Sequence, residues 1–393
     1  MAVVRLGHVS VEKILLVLIC CFVSELFLMA PSPAQEIFTD NQNKTPLELA
    51  VFLGNKVIHS KPQIYFPSTK EELFYPWSYP TGVLLWSLCQ LSEVSNDPAY
   101  LDFARRSFDY YIDNGKVKYN TMDLGGAMGH ALLELNRLNP DPRYTKTLEE
   151  ITDFFENKQA RLLDGSFCYY LEPERRRTWI DAIFMVCPVL AKSADLFDRP
   201  ERYDDVIRQI FNYTVRLQDP EKKLYYQGWG WGINRTTHSP GFWSRGNGWV
   251  VMAMTEILST VPVDHPDRDT LVRVVQDFNE AILSAQDRSG RWHQLLTRHD
   301  SFEETSGTAM FIYSFINGYQ NRWLGENYMK AALMGFEGLK QKIDAEGNIY
   351  GTCIGTGTQN TLNDYYNRKT PVNDSHGIGP VILAACAVAS LDR

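Results

Sequence analysis

The run DLGGAMGHALLELNRLNPDPRYTKTLEEITDFF, residues 123 to 155, decides how this chain folds. Its first half, Ala127 to Leu135, shows little polar face and must be buried on every side. Pro140-Asp141-Pro142 stops it. From Tyr144 to Phe155 apolar residues keep to one face and charges to the other, the pattern of a helix covering a core. One unit is therefore a polar, Gly-rich start, a buried helix, a turn and an amphipathic helix.

The same unit recurs on both sides of this stretch. Other copies start at Trp77-Ser78-Tyr79, Trp179-Ile180-Asp181, Trp243-Ser244-Arg245-Gly246-Asn247, Thr305-Ser306-Gly307 and Asn373-Asp374-Ser375-His376-Gly377. Turns fall at Asp97-Pro98, Asp198-Arg199-Pro200, Asp264 to Asp267 and Leu324-Gly325. Each interval is long enough for two helices and their loops. The last copy lacks its amphipathic partner, which Thr45 to Val57 supplies from the other end of the chain. Six buried helices inside six amphipathic ones predict an all-α (α/α)6 barrel. A linear helical solenoid is the alternative. Short hairpins are expected at Lys223 to Tyr226 and Gly290 to His293.

In a closed ring all inner helices run the same way, so their N-termini meet at one mouth. That gathers Trp77, Tyr79, Asp123, Trp179, Asp181, Trp243, Arg245, Asn247, Thr305, Ser306, Asp374 and His376 into one polar, aromatic cleft. Six helix N-termini present unpaired N–H groups and positive dipole ends, which suits an anionic ligand such as a carboxylate. Taken singly, Asp123, Asp181, Thr305 and Asp374 read better as N-caps. Taken together, two acids at one mouth suit acid/base work on a sugar. Asp181 lies in the apolar run from Trp179 to Leu190, where desolvation raises a carboxyl pKa and keeps a proton available near neutrality. Trp229 and Trp231, in the Gly-rich segment 228 to 232, read as loop residues that stack on a ligand.

Several of these stretches resemble the unsaturated glucuronyl and rhamnogalacturonyl hydrolases, glycoside hydrolase families 88 and 105, with family 105 the closer. They are Trp179-Ile180-Asp181-Ala182-Ile183-Phe184-Met185 and Trp243-Ser244-Arg245-Gly246-Asn247-Gly248-Trp249. Trp77-Ser78-Tyr79, Glu304 to Met310 and Gly355-Thr356-Gly357 match too. The resemblance implies a hydrolase whose substrate is an oligosaccharide ending, at its non-reducing end, in a uronic acid with a C4=C5 double bond. Asp181 matches the family acid/base, and Asp123, after Met122, the second acidic residue. Tyr79, Trp243, Arg245 and Trp249 match residues lining the sugar site, with Arg245 the expected contact to the substrate's carboxylate or hydroxyls. The resemblance implies no metal or organic cofactor. Two family histidines are replaced, one by the run ending at Tyr169 and one by Gln227. These side chains can still hydrogen-bond a sugar but carry no charge.

Two alternatives stay open: ordinary hydrolysis of a saturated sugar by Asp123 and Asp181, and a non-catalytic carbohydrate-binding barrel whose acids are caps. Sugar isomerisation would need a pair of proton-shuttling histidines, and only His376 lies clearly at a helix mouth. A net charge of -8 argues against nucleic acid, which demands a basic surface.

Residues 1–34 read as an export signal, with Arg5 and Lys13 ahead of the apolar stretch Ile14 to Ala30 and small residues at Ser32-Pro33-Ala34. The expected product is one barrel domain over 35–393, periplasmic or secreted, with no stable membrane insertion. A retained anchor is the alternative. Ile19 before Cys20 argues against lipidation. No other segment reads as apolar enough to cross a bilayer. The other five cysteines show no metal-ligand spacing; four of them read as core residues, and a disulfide is an open alternative.

Overall fold

A computed structural model describes residues 39–69, 73–169, 177–231 and 237–392. The expected export signal lies outside them. Twelve long helices alternate along the described chain. They are α1 (Pro46–His59), α2 (Tyr79–Ser95), α3 (Pro98–Asp113), α4 (Met122–Leu138), α5 (Pro142–Asn157) and α6 (Asp181–Lys192). The rest are α7 (Glu201–Leu217), α8 (Ser244–Thr260), α9 (Arg268–Ser284), α10 (Thr305–Gln320), α11 (Glu326–Lys340) and α12 (Ser375–Ala389).

The even-numbered helices form the inner ring. In α6 every residue from Ala182 to Ala191 is buried, and in α8 every residue from Ser244 to Leu258. Helices enclosed on all sides leave no place for a polar stripe. The odd-numbered helices lie outside and bury one face each. On α7 that face is Tyr203, Val206, Ile207, Ile210, Tyr213 and Leu217, at helical spacing. Caps define their starts: Thr45 and Glu48 form a capping box on α1, Asp97 caps α3 and Asp141 caps α5. Each such cap is worth about 1 kcal/mol.

Each inner helix packs on the next, and α12 packs on α2, which closes the ring and excludes an open solenoid. The N-terminal α1 packs on α12, as the unpaired sixth helix required. The apolar count also singles out α12: Ser375–Asp392 is long and apolar enough to cross a membrane, contrary to the sequence reading, but it is mostly buried inside the ring. Cys89, Cys168, Cys187, Cys353 and Cys386 are all buried.

A three-stranded antiparallel sheet, unforeseen in the sequence, covers part of the mouth. It comprises β1 (Thr178–Trp179), β2 (Gly228–Trp231) and β3 (Thr237–His238), in that order. Trp229 is therefore a strand residue. The expected hairpins reduce to single bridges, Gln218 with Tyr225 and His293 with Glu303.

Candidate active site

The inner helices deliver Asp123 and Asp181 to the mouth from adjacent positions in the ring. Thr121 caps α4 with its side chain, so Asp123 is free of that duty and sits in the first turn. Asp181 is the first residue of α6, behind Ile180, which makes no side-chain cap. The spacing of the two helices is set one turn deeper, where Gly126 of α4 meets the backbone of Met185 of α6. Of the four residues that read as caps, only Asp374 is one; Glu304, not Thr305, caps α10.

The two acids differ in surroundings. Asp123 Oδ1 accepts a 2.9 Å hydrogen bond from the Tyr169 hydroxyl, and the Tyr169 ring lies 4.5 Å from that of Trp179. Burial raises the Asp123 pKa, and the Tyr169 bond opposes the rise. Asp181 Oδ2 is buried without a hydrogen-bond partner among the described residues. Burial, then the charge of Asp123, push the Asp181 carboxyl up to about 7, against the pull of a backbone hydrogen bond and of Arg245. Of two carboxyls sharing a site, one ionises and the other keeps its proton near neutrality. A cavity of about 530 Å³ reaches Asp123 past Tyr169 and Trp179, and Asn120, Lys158 and Gln159 also line it. No sequence pattern pointed to those last three, because they lie at a loop and at the end of an outer helix, outside the repeated motif.

A second polar chain crosses the mouth from α12 to α2. His376 Nδ1 lies 2.5 Å from Asp374 Oδ1, and His376 Nε2 lies 2.5 Å from the Tyr79 hydroxyl. A carboxylate only accepts, so Nδ1 carries the ring proton and Nε2 accepts from Tyr79. Burial and the charge of Arg245 lower the His376 pKa, which keeps the ring neutral. The half-buried Tyr79 has thus given its hydrogen to His376 and keeps its oxygen lone pairs as acceptors. Trp249 holds the other side of Tyr79, with ring centroids 6.2 Å apart, and packs on Phe184 at 4.8 Å.

Other expected contact residues lie beneath the mouth. Arg245 is 1% exposed. Its Nη1 donates to Cys353 O at 2.7 Å and to Ser306 Oγ at 3.2 Å, and its Nη2 to Ile354 O at 2.8 Å. Trp243, 2% exposed, lies under its guanidinium at 4.8 Å. Glu304, fully buried, stands 3.6 Å from Nη1 and accepts from Ser306 Oγ and the Gly307 and Cys353 N–H groups. Gln227 spends its amide on Thr356 O at 2.7 Å and on the Tyr365 hydroxyl at 2.5 Å. Met122, though buried, differs from these in lining the cavity beside Asp123. Arg245 and Gln227 therefore pin the 353–357 segment, and Arg245 acts on Asp181 through its field. Trp229 already carries the Arg216 guanidinium, 5.2 Å from its ring.

The model of Glycosyl Hydrolase Family 88 matches residues 56–391, nearly all of the described barrel. This chain belongs to glycosyl hydrolase family 88. A relative is the unsaturated rhamnogalacturonyl hydrolase YesR of Bacillus subtilis, 24% identical over 315 residues, which span 78% of this chain and 88% of YesR. The solved family 105 glycoside hydrolase of C. acetobutylicum superposes with a TM-score of 0.77 at 24% identity, covering 87% of this chain and 99% of that one. A possible family 105 member from Klebsiella pneumoniae gives 0.79 at 23% identity, covering 93% and 95%. At these identities the structures establish the six-hairpin fold of the family 88 chain. In this family 88 barrel a larger cavity, about 800 Å³, opens at the opposite end, lined by Glu134, Lys192 and Glu256. Lys192 Nζ lies 2.6 Å from Glu134 and 2.7 Å from Glu256, so both acids are held in ion pairs. The carboxyl whose pKa is pushed up to about 7 lies at the Asp181 end.

Proposed function

We propose that this family 88 glycoside hydrolase removes a terminal 4,5-unsaturated uronic acid from oligosaccharides left by polysaccharide lyases. The observation that carries the reading is Asp181, a carboxyl with a pKa near 7 and a buried, unpartnered oxygen, raised by burial and by neighbouring Asp123. Asp181 donates its proton to C4 of the enol ether, and positive charge develops over C5 and the ring oxygen. Asp123, held by Tyr169, stabilises that charge and orients the water. Water adds at C5 and returns a proton to Asp181. The C5 hemiketal then opens, and the hemiacetal left at C1 expels the remaining chain as an alcohol. Tyr79 accepts from a sugar hydroxyl or from the water, and Trp179 with Tyr169 offers an aromatic wall to the ring. The helix N-termini at the mouth favour the uronate carboxylate.

Residues 1–34 act as an export signal in this reading, so the enzyme meets its substrate outside the cytoplasm. The test is to incubate the protein with lyase-generated oligosaccharides and follow the ultraviolet absorbance of the conjugated double bond. Loss of absorbance together with release of the shortened chain is expected. Absorbance that persists across rhamnogalacturonan-, ulvan- and glycosaminoglycan-derived fragments would remove the proposal.

A further inference from the structure

The loop between α9 and α10 carries three side chains that the reaction does not use: Asp287, His293 and His299. His293 is 8% exposed. Its Nδ1 lies 2.5 Å from the carbonyl oxygen of Ser301. A carbonyl only accepts, so Nδ1 holds the ring proton. The Nε2 of the neutral ring is then a lone pair, and it is buried with no hydrogen-bond partner among the described residues. It faces Asp287 Oδ2 at 3.5 Å, and His299 Nδ1 stands 3.4 Å from the same oxygen. The other oxygen of Asp287 accepts the Ser289 N–H at 2.9 Å, which turns Oδ2 toward the histidines.

A lone pair facing a carboxylate in a buried position is unfavourable unless positive charge lies between them. The separations are long for hydrogen bonds. They fit the edges of a metal tetrahedron, which measure about 3.3–3.4 Å when the ligand bonds are about 2.0–2.1 Å. All three ligand atoms lie within 4.8 Å of one another. The His293 Nδ1–H bond to a backbone carbonyl is the usual outer partner of a metal-bound imidazole. We propose that Asp287, His293 and His299 form a site for a divalent transition metal of the zinc type, with solvent at the fourth position.

The same loop supports the catalytic mouth. Gln294 O accepts the N–H of Ser244 at the start of α8, and Leu296 N–H donates to Phe242 O, each at 2.9 Å. A bound ion would staple the two ends of this loop together beside the start of α8, which carries Arg245. Its role is that of a clamp, remote from the reacting atoms.

Zinc chloride is titrated calorimetrically into the full chain, prepared without a polyhistidine tag, and into His299→Gln and Asp287→Asn. His299 has an exposed side chain, 56% accessible, so H299Q keeps the fold. One equivalent of zinc is expected to bind the parent protein and to raise its thermal midpoint. Affinity is expected to fall at least about tenfold in both variants. Absence of zinc uptake, or uptake unchanged in H299Q, overturns the assignment.

Discussion

Gly126 lies so close to Met185 that a Cβ placed on the glycine would sit 1.6 Å from the Met185 carbonyl oxygen. Asp123 and Asp181 stand one turn above this contact, so the approach of the two backbones sets how near the acids come. Gly126→Ala has to push α4 from α6, because the obstacle is backbone and cannot rotate away. Destabilisation of about 3 kcal/mol or more is expected, at or above the usual range for overpacking. Gly125→Ala meets side chains first, Phe155 Cζ at 2.9 Å and Tyr119 Cβ at 3.2 Å, with backbone no nearer than 3.4 Å, and should cost less. Thermal unfolding and kcat of both variants check the order.

Asp181→Asn should lower kcat at least about a hundredfold, the low end of what a proton donor contributes. In the parent enzyme activity should hold below pH 7 and fall about tenfold per unit above it, as the donor ionises. The acid limb should follow protonation of Asp123, whose pKa is also raised.

The same residue makes a signed stability prediction. Its folded pKa, about 7, exceeds the ordinary 3.8. Between these values the folded state keeps a proton that the unfolded chain has lost. Stability therefore falls as pH rises through that window, by an amount on the order of a few kcal/mol, and the loss is complete above it. D181N cannot ionise and should gain on the parent protein in thermal midpoint between pH 5 and pH 8. Parallel midpoints across that range would contradict the assigned environment.

Tyr79→Phe removes a hydrogen-bond acceptor near the acids, and His376→Gln replaces the ring nitrogen that orients it. Y79F should cost about tenfold to a hundredfold in kcat/KM, the worth of one or two hydrogen bonds. H376Q should show a smaller loss in the same direction, and the double variant should not exceed Y79F by much, because His376 acts through Tyr79. A full set of kcat and KM values for the cycle decides this.

Arg245→Lys keeps the charge but loses the planar fork that reaches Cys353, Ile354 and Ser306 together. It should lower the thermal midpoint and leave the basic limb of the pH profile in place. Arg245→Gln withdraws the charge that pulls the Asp181 pKa down, so the limb should move to higher pH. It also leaves the buried Glu304 without its cation, with an expected cost of about 3–5 kcal/mol.

Much of the site was readable because the fold is a repeat. Six motif starts at the same point of six equivalent units must converge if the ring closes, and that alone put Asp123, Asp181, Tyr79 and His376 together. Residue type could not say which of the gathered side chains face the cavity. Arg245, Trp243 and Gln227 read as sugar contacts, yet they lie beneath the mouth and hold the 353–357 segment. That segment reaches them from more than a hundred residues away, and no local pattern records the meeting. Lys158 and Gln159 reach the cavity from the end of an outer helix for the same reason.

The sequence by itself determined the helices, their pairing, the direction of the inner ring and the two acids, because hydrophobic period and turn chemistry act within a few residues. Only the tertiary structure decided protonation and partnership. The pKa of Asp181, the tautomer of His376 and the burial of Arg245 depend on atoms that neighbouring helices bring to within a few ångströms. Electrostatics in a low-dielectric mouth is fixed by that three-dimensional packing, and not by order along the chain.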